Sequence, residues 1–200
     1  MKKKIAILSA ILLVSAGAWS QSARTILDRA AATVSNPTGV EAHFQIITKQ
    51  GKTSGQIAVK GSKFQATTPD ATVWFDGKTQ WTYMKGNEEV NVSNPTEAEL
   101  QAINPYNFIN LYKRGFSLSS RKVSGYYEVH LTPSGSKKRD IEDMYIIVNQ
   151  KTYHPTHVKM RRNGKWSVIL ISQLKAASLS DALFQFNAKD FPKAEIIDLR

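Results

Sequence analysis

From Glu41 onward the chain alternates apolar and polar residues in short runs separated by turn residues, the period-2 signature of half-buried strands. Glu41–Lys49 sets Ala42, Phe44, Ile46 and Thr48 on one face and His43, Gln45 and Ile47 on the other. Gly55–Lys60 carries Ile57 and Val59, and Ser62–Thr68 carries Phe64 and Ala66. A three-strand meander follows in Thr72–Phe75, Gln80–Met84 and Glu89–Val92, punctuated by Asp76-Gly77-Lys78-Thr79 and Lys85-Gly86-Asn87. Asp-Gly between apolar runs signals a tight hairpin, since Gly accepts positive φ. Strands resume at Phe116–Val123, Tyr126–Thr132, Asp143–Val148, His157–Arg162 and Lys165–Gln173, the last two joined by Asn163-Gly164. Leu183–Phe186 reads as a closing segment and Phe191–Asp198 as a terminal strand. This spacing predicts one large antiparallel sheet or barrel.

Two stretches carry the helical period instead. In Ser22–Val34, residues Ala23, Ile26, Leu27, Ala30, Ala31 and Val34 form one stripe behind the N-cap candidate Ser22. Ser93–Gly115 interrupts the strands. Asn94-Pro95-Thr96-Glu97 opens a short helix to about Ile103, and Asn104-Pro105 opens another to about Lys113. Leu100, Ile103, Tyr106, Phe108, Ile109, Leu111 and Tyr112 make this pair apolar. Helices this short need a surface to dock on, because nucleation is costly.

The N-terminus changes the picture of where the protein works. Lys2-Lys3-Lys4, the apolar run Ile5–Val14 and small residues around Ala16–Ser20 read as a signal peptide over residues 1–20, cleaved after Ala18 or Ser20. The expectation is a soluble exported protein whose residues 21–200 form a single domain. With no cysteine, neither a disulfide nor a lipid anchor is available, and folding rests on the core. Net charge is +11; removing the three signal lysines leaves +8. The cations are scattered, in groups no longer than Lys137-Lys138-Arg139, and no nucleic-acid motif accompanies them. Basic surface of this kind suits weak attraction to anionic head groups or acidic partners.

Catalytic chemistry finds little support. No G-x-S-x-G elbow and no Gly-rich phosphate loop occurs. His154 and His157 flank Pro155 without a cysteine or close acidic pair to complete a zinc set, so no metal or cofactor is expected.

Pro69, a short strand, then Asp76-Gly77-Lys78-Thr79 with Trp81 and Tyr83 resembles the LolA group of periplasmic lipoprotein carriers. Lys60-Gly61 with Phe64, Tyr127 to Thr132-Pro133, and Phe184 to Asp198 extend the resemblance along most of the chain. It implies a mainly β fold with helices (α+β): an incomplete antiparallel β-barrel of roughly 10–11 strands with a helical lid. It also implies an apolar site for acyl chains. The strand residues assigned to that site are Phe44, Ile46, Ile57, Val59, Phe64, Trp81, Tyr83, Val158, Met160, Trp166, Val168 and Leu170. The lid residues are Leu100, Ile103, Phe108, Ile109 and Leu111. From the residues alone, the same apolar set also describes an ordinary core beneath helices.

Implied partners are acylated lipoproteins, an inner-membrane lipoprotein-releasing transporter and an outer-membrane acceptor, with transient membrane contact, no nucleic acid and a monomeric carrier. A lipid-binding sensor or regulatory module on the same half-barrel is the other function such a fold serves. The sequence departs from the family at Val59-Lys60-Gly61-Ser62-Lys63-Phe64, one residue shorter and without the arginine that latches the lid. Lys60 and Lys63 are the cations on hand to replace it.

Overall fold

The computed structural model describes residues 21–96, 111–135 and 140–200. The first stripe folds as expected into α1 (Ala23–Val34), where Ser22 Oγ accepts the Thr25 N–H at 3.1 Å and Ala23, Ile26, Leu27, Ala30 and Val34 are buried. Then come β1 (Val40–Thr48), β2 (Gly51–Lys60), β3 (Lys63–Thr67), β4 (Ala71–Phe75), β5 (Gln80–Met84) and β6 (Glu89–Ser93). After the interruption follow β7 (Phe116–Val123), β8 (Tyr126–Pro133), β9 (Ile141–Asn149), β10 (Pro155–Arg162), β11 (Lys165–Ala176) and β12 (Glu195–Asp198). Asp181–Phe184 and Ala188–Asp190 are single turns of 3₁₀ helix. Of the stretch from Asn94 to Lys113 where two helices were expected, residues 97–110 lie outside the described residues.

All twelve strands join one sheet in the order β12-β6-β5-β4-β3-β2-β1-β11-β10-β9-β8-β7. Two meanders of sequential hairpins meet where β1 pairs with β11, and the sheet stays open, with β12 and β7 at its edges. This is the mainly β, incomplete barrel that was expected, with one or two strands more than the resemblance implied. One pairing breaks the antiparallel rule: β12 lies parallel to β6, Ile196 opposite Val90 and Asp198 opposite Val92. A parallel neighbour needs a long return path. The segment between β11 and β12 supplies it.

Directly opposed residues share a face, so register sorts the side chains. One face, here the inner face, carries Val40, Ala42, Phe44, Ile57, Val59, Phe64, Phe75, Val129, Leu131, Met144, Ile146, Val158, Ile169 and Ile171. These residues and the α1 stripe form one buried cluster. Helix α1 packs on β7 and β8. Leu27 and Ile26 are almost fully enclosed, each withdrawing enough apolar surface for about 1.5–3 kcal/mol.

The outer face is covered too, over β3–β6. There Trp74 stands opposite Trp81, Thr72 opposite Tyr83, and Tyr83 opposite Val90. Residues 177–198 cross this face and bring Phe184, Phe186 and Phe191 onto it. Ring centroids lie 5.6 Å apart for Trp74–Phe186, 5.5 Å for Trp74–Phe191 and 4.7 Å for Tyr83–Phe191. Phe184 is fully buried. The crossing starts at Gly39, whose φ is +110° and whose missing Cβ would stand 2.5 Å from Leu179 Cδ1. Thr38 O accepts the Leu179 N–H at 2.9 Å.

Candidate functional site

The inner face is the candidate site, and the β-strand period builds it. Phe44, Ile46, Ile57, Val59, Phe64, Val158 and Met160 all fall on it, as the alternation in their strands predicts. Phe44 lies over Gly55 of the neighbouring strand. Toward β4, Ala66 and Val73 are only half-buried, as is Ile46 near the end of β1. Toward β5 and β6 the face turns polar. Gln80 and Thr82 point inward there, in line with Asn91 and Ser93. Gln80 Nε2 donates to Thr82 Oγ1 at 3.1 Å, while Gln80 Oε1 is buried without a partner among the described residues. This polar margin was missed in the sequence, although the inward parity of Gln80 and Thr82 follows from Phe75 and Val73 once the hairpin register is known.

Trp81, Tyr83, Trp166, Val168 and Leu170 lie on the opposite face from the other seven strand residues assigned to the acyl site. For β11 the reason is parity. Val168-Ile169-Leu170-Ile171 is apolar at every position, so alternation cannot say which pair turns inward. Pairing of Val158 with Ile169 and of Phe44 with Ile171 turns the odd residues in and leaves Trp166, Val168 and Leu170 outside. For β5 the alternation is clear, but its apolar residues serve the outer layer. Trp81 and Tyr83 stand with Trp74 beneath the C-terminal segment.

The motif Asp76-Gly77-Lys78-Thr79 is likewise architectural. Asp76 Oδ1 accepts the N–H groups of Lys78 at 2.9 Å and Thr79 at 2.8 Å, and Gly77 takes φ +104°. Thr79 Oγ1, buried, bonds Asn94 Oδ1 at 3.1 Å where the chain leaves β6. Trp81 and Tyr83 then face outward.

Of the assigned lid residues, Leu100, Ile103, Phe108 and Ile109 fall outside the described residues, and Leu111 is half-buried against the inner-face cluster. Tyr112, next to it, is 1% exposed, and its hydroxyl donates to Asp28 of α1. Burial, then the Asp28 carboxylate, push its pKa far above that of a free tyrosine. Arg24 lies 5.8 Å from the ring centroid. On the other flank of α1, Arg29 donates to Tyr153 Oη at 2.9 Å, and Tyr153 to Gln21 at 2.8 Å. Tyr112 thus belongs to the core that anchors α1.

Lys60 and Lys63 are engaged on the outer face. Both Nζ atoms lie 3.0 Å from Asp181 carboxylate oxygens, and Lys60 also donates to Leu179 O at 2.9 Å. Lys63 and then Lys60 hold the Asp181 carboxyl below its usual pKa. They fasten the C-terminal segment on the outer face. Among the described residues no three of His, Asp and Glu come together as a metal site, and no helix is long and apolar enough to cross a membrane.

The family model described as "Outer membrane lipoprotein carrier protein LolA" matches residues 14–165. The chain belongs to the LolA family. No curated protein matches it in sequence. Among solved structures, an uncharacterized conserved protein from Thermus thermophilus is similar to this LolA-family chain with a TM-score of 0.62 at 13% identity. The match covers 89% of this chain and 99% of the other. A LolA superfamily protein from Nitrosomonas europaea gives 0.46 at 12%, covering 84% and 99%. The Pseudomonas aeruginosa MucA/MucB complex gives 0.43 at 14%, covering 84% and 62%.

Proposed function

We propose that this LolA-family protein is a periplasmic carrier that shelters the acyl chains of lipoproteins against the inner face and moves them from the inner to the outer membrane. The observation carrying this reading is the unbroken apolar surface from β3 through β2, β1, β11, β10 and β9 to β8, in a chain whose family is described as a lipoprotein carrier. Each methylene withdrawn from water contributes about 0.8 kcal/mol, so a chain of a dozen carbons approaches 10 kcal/mol without any ionic contact. The binding site comprises Phe44, Ile46, Ile57, Val59, Phe64, Val158 and Met160, with the half-buried Ala66 and Val73 beside them. Residues Leu100, Ile103, Phe108 and Ile109 are assigned as its displaceable cover, which lowers net affinity when it fills the empty groove and so eases release. Cargo comes from a lipoprotein-releasing transporter and passes to an outer-membrane acceptor.

Mass spectrometry of protein purified from its native periplasm tests the reading, with acylated peptides or lipoproteins expected in the bound fraction. Recovery of the protein free of acyl material, together with failure to bind a fluorescent acyl-peptide in solution, overturns it.

A further inference from the structure

Register collects basic side chains at one end of the sheet. Leu118, Leu131, Met144, Met160, Ser167, Thr48 and Gly51 form one row across seven adjacent strands. Ile47 opposite Val168 places Thr48 beside Ser167 in that row. At or just beyond it lie Lys113 and Arg114 before β7, Arg161 and Arg162 at the end of β10, Lys165 at the start of β11, and Lys49 and Lys52 around the β1–β2 turn. Ser134 N–H bonds Gly115 O at 3.0 Å, which keeps Arg114 at this end. Neighbouring strands are about 4.8 Å apart, so these cations span an arc of roughly 30 Å.

Few carboxylates answer them. Asp140, Glu142 and Asp143 are the described acids here. Glu142 is taken by Arg161 at 3.0 Å and by the Gly164 N–H at 2.9 Å, and Asp143 by His130 at 2.6 Å. Lys49, Lys52, Lys113, Arg114 and Lys165 are exposed, and none is in an ion pair among the described residues. Arg162 keeps a buried Nε without a hydrogen-bond partner among the described residues. At the other end of the same strands cations do find acids, Arg121 with Glu128 and Lys175 with Glu41. Beside Lys165, Trp166 is 39% exposed on the outer face, with the Arg161 guanidinium 5.8 Å from its ring centroid.

We propose that this end of the sheet, formed by Lys49, Lys52, Arg114, Arg162, Lys165 and Trp166, docks on the anionic head-group surface of a phospholipid bilayer. Flexible ammonium groups on separate turns suit a fluid array of phosphates, which imposes no fixed spacing. An exposed indole beside a lysine is the side-chain pair that settles at a membrane–water interface. The inference rests on register and charge and stands apart from the acyl-carrier reading, because docking requires no cargo.

The test is co-sedimentation of the cargo-free protein with vesicles of phosphatidylglycerol and phosphatidylcholine in equal parts, beside pure phosphatidylcholine vesicles. Binding is expected only to the anionic vesicles and is expected to weaken as salt shortens the screening length. A cation at such a surface carries about a fivefold factor in affinity. The variant combining Lys49→Gln, Lys52→Gln, Arg114→Gln and Lys165→Gln should therefore lose at least about a hundredfold. A control with the same charge change elsewhere, Lys78→Gln, Lys151→Gln, Lys189→Gln and Lys193→Gln, should lose far less. Tryptophan emission should shift to the blue on adding anionic vesicles, and the shift should disappear in Trp166→Phe. Equal losses in the two quadruple variants reduce the effect to net charge and overturn the proposal. So does equal binding to neutral vesicles, or binding to soluble polyglutamate as tight as to vesicles, which assigns the surface to an acidic protein.

Discussion

Gly55 shows how one missing side chain shapes the inner face. A Cβ there would stand 2.3 Å from Thr67 O and 2.6 Å from Phe44 Cζ, so the Phe44 ring keeps its place only because the opposite residue is glycine. Gly55→Ala is expected to displace the ring and to lower stability by about 1–3 kcal/mol. A urea midpoint equal to that of the unchanged protein would contradict this packing. His157, opposite Leu170 and Ile147, has its pKa lowered from 6.5 by burial and then by Lys159. Its neutral form is the one favoured by folding. Stability from this group is full above the unfolded value of about 6.5 and is lost as pH falls through the lower folded value. Urea titrations at stepped pH should show a decline beginning below that point, and His157→Gln should flatten it.

At the scale of the element, the C-terminal segment supplies both the expected terminal strand, as β12, and a layer over the outer face. It roofs the outer face of β3–β6. Phe184→Ala should cost about 3–5 kcal/mol, since a fully buried aromatic leaves a cavity that a sheet surface cannot collapse into. The ionic fastening is weaker, because Asp181 is exposed and its pairs are screened. Asp181→Asn is expected to leave the urea midpoint nearly unchanged while speeding proteolysis of residues 177–198 and shifting Trp74 emission to the red. The depressed carboxyl works in the same direction. Its contribution is present above the usual value of 3.8 and is lost as acid protonates it below that, so the wild-type segment should loosen at low pH as the variant does at neutral pH. Proteolysis rates that do not respond to the substitution would show that the aromatic layer alone holds the segment.

At the scale of the whole molecule, the sheet carries α1 on its inner face and the C-terminal segment on its outer face over β3–β6, and the proposed carrier function belongs to the inner face. Ile46 and Val73 are half-buried on the inner face, and Val168 is half-buried on the outer. Ile46→Gln and Val73→Gln should weaken acyl-peptide binding severalfold or more with small losses of stability, whereas Val168→Gln should leave binding intact. Equal effects from all three would detach binding from the inner face. The cover is tested separately. Phe108→Asp and Ile109→Asp are expected to give folded proteins that retain acyl ligand poorly, because an aspartate in a displaceable element escapes to water instead of burying an unpaired charge. Global unfolding of both, read by thermal melting, would place those residues in a fixed core.

Local chemistry was enough for the elements. Ser22 and its stripe made α1, Asn163-Gly164 with φ of 50° and 70° made the last hairpin, and alternation in β1, β2 and β3 set Phe44, Ile57 and Phe64 on one side. Those features depend on neighbours within one or two turns, which the sequence carries. The partner of each face is a long-range matter. Nothing within β5 says that Tyr83 meets Phe191, more than a hundred residues away, and nothing within Val168–Ile171 breaks the tie between two apolar parities. Lys60 and Lys63 owe their partner to the same long range, since the return path to a parallel β12 brings Asp181 to them. The sequence by itself determined the strands, the helix and the family. Only tertiary structure decided which face each apolar residue serves, because a period of two defines two sides and leaves the choice between them to cross-strand register and to the segments that come to lie on each.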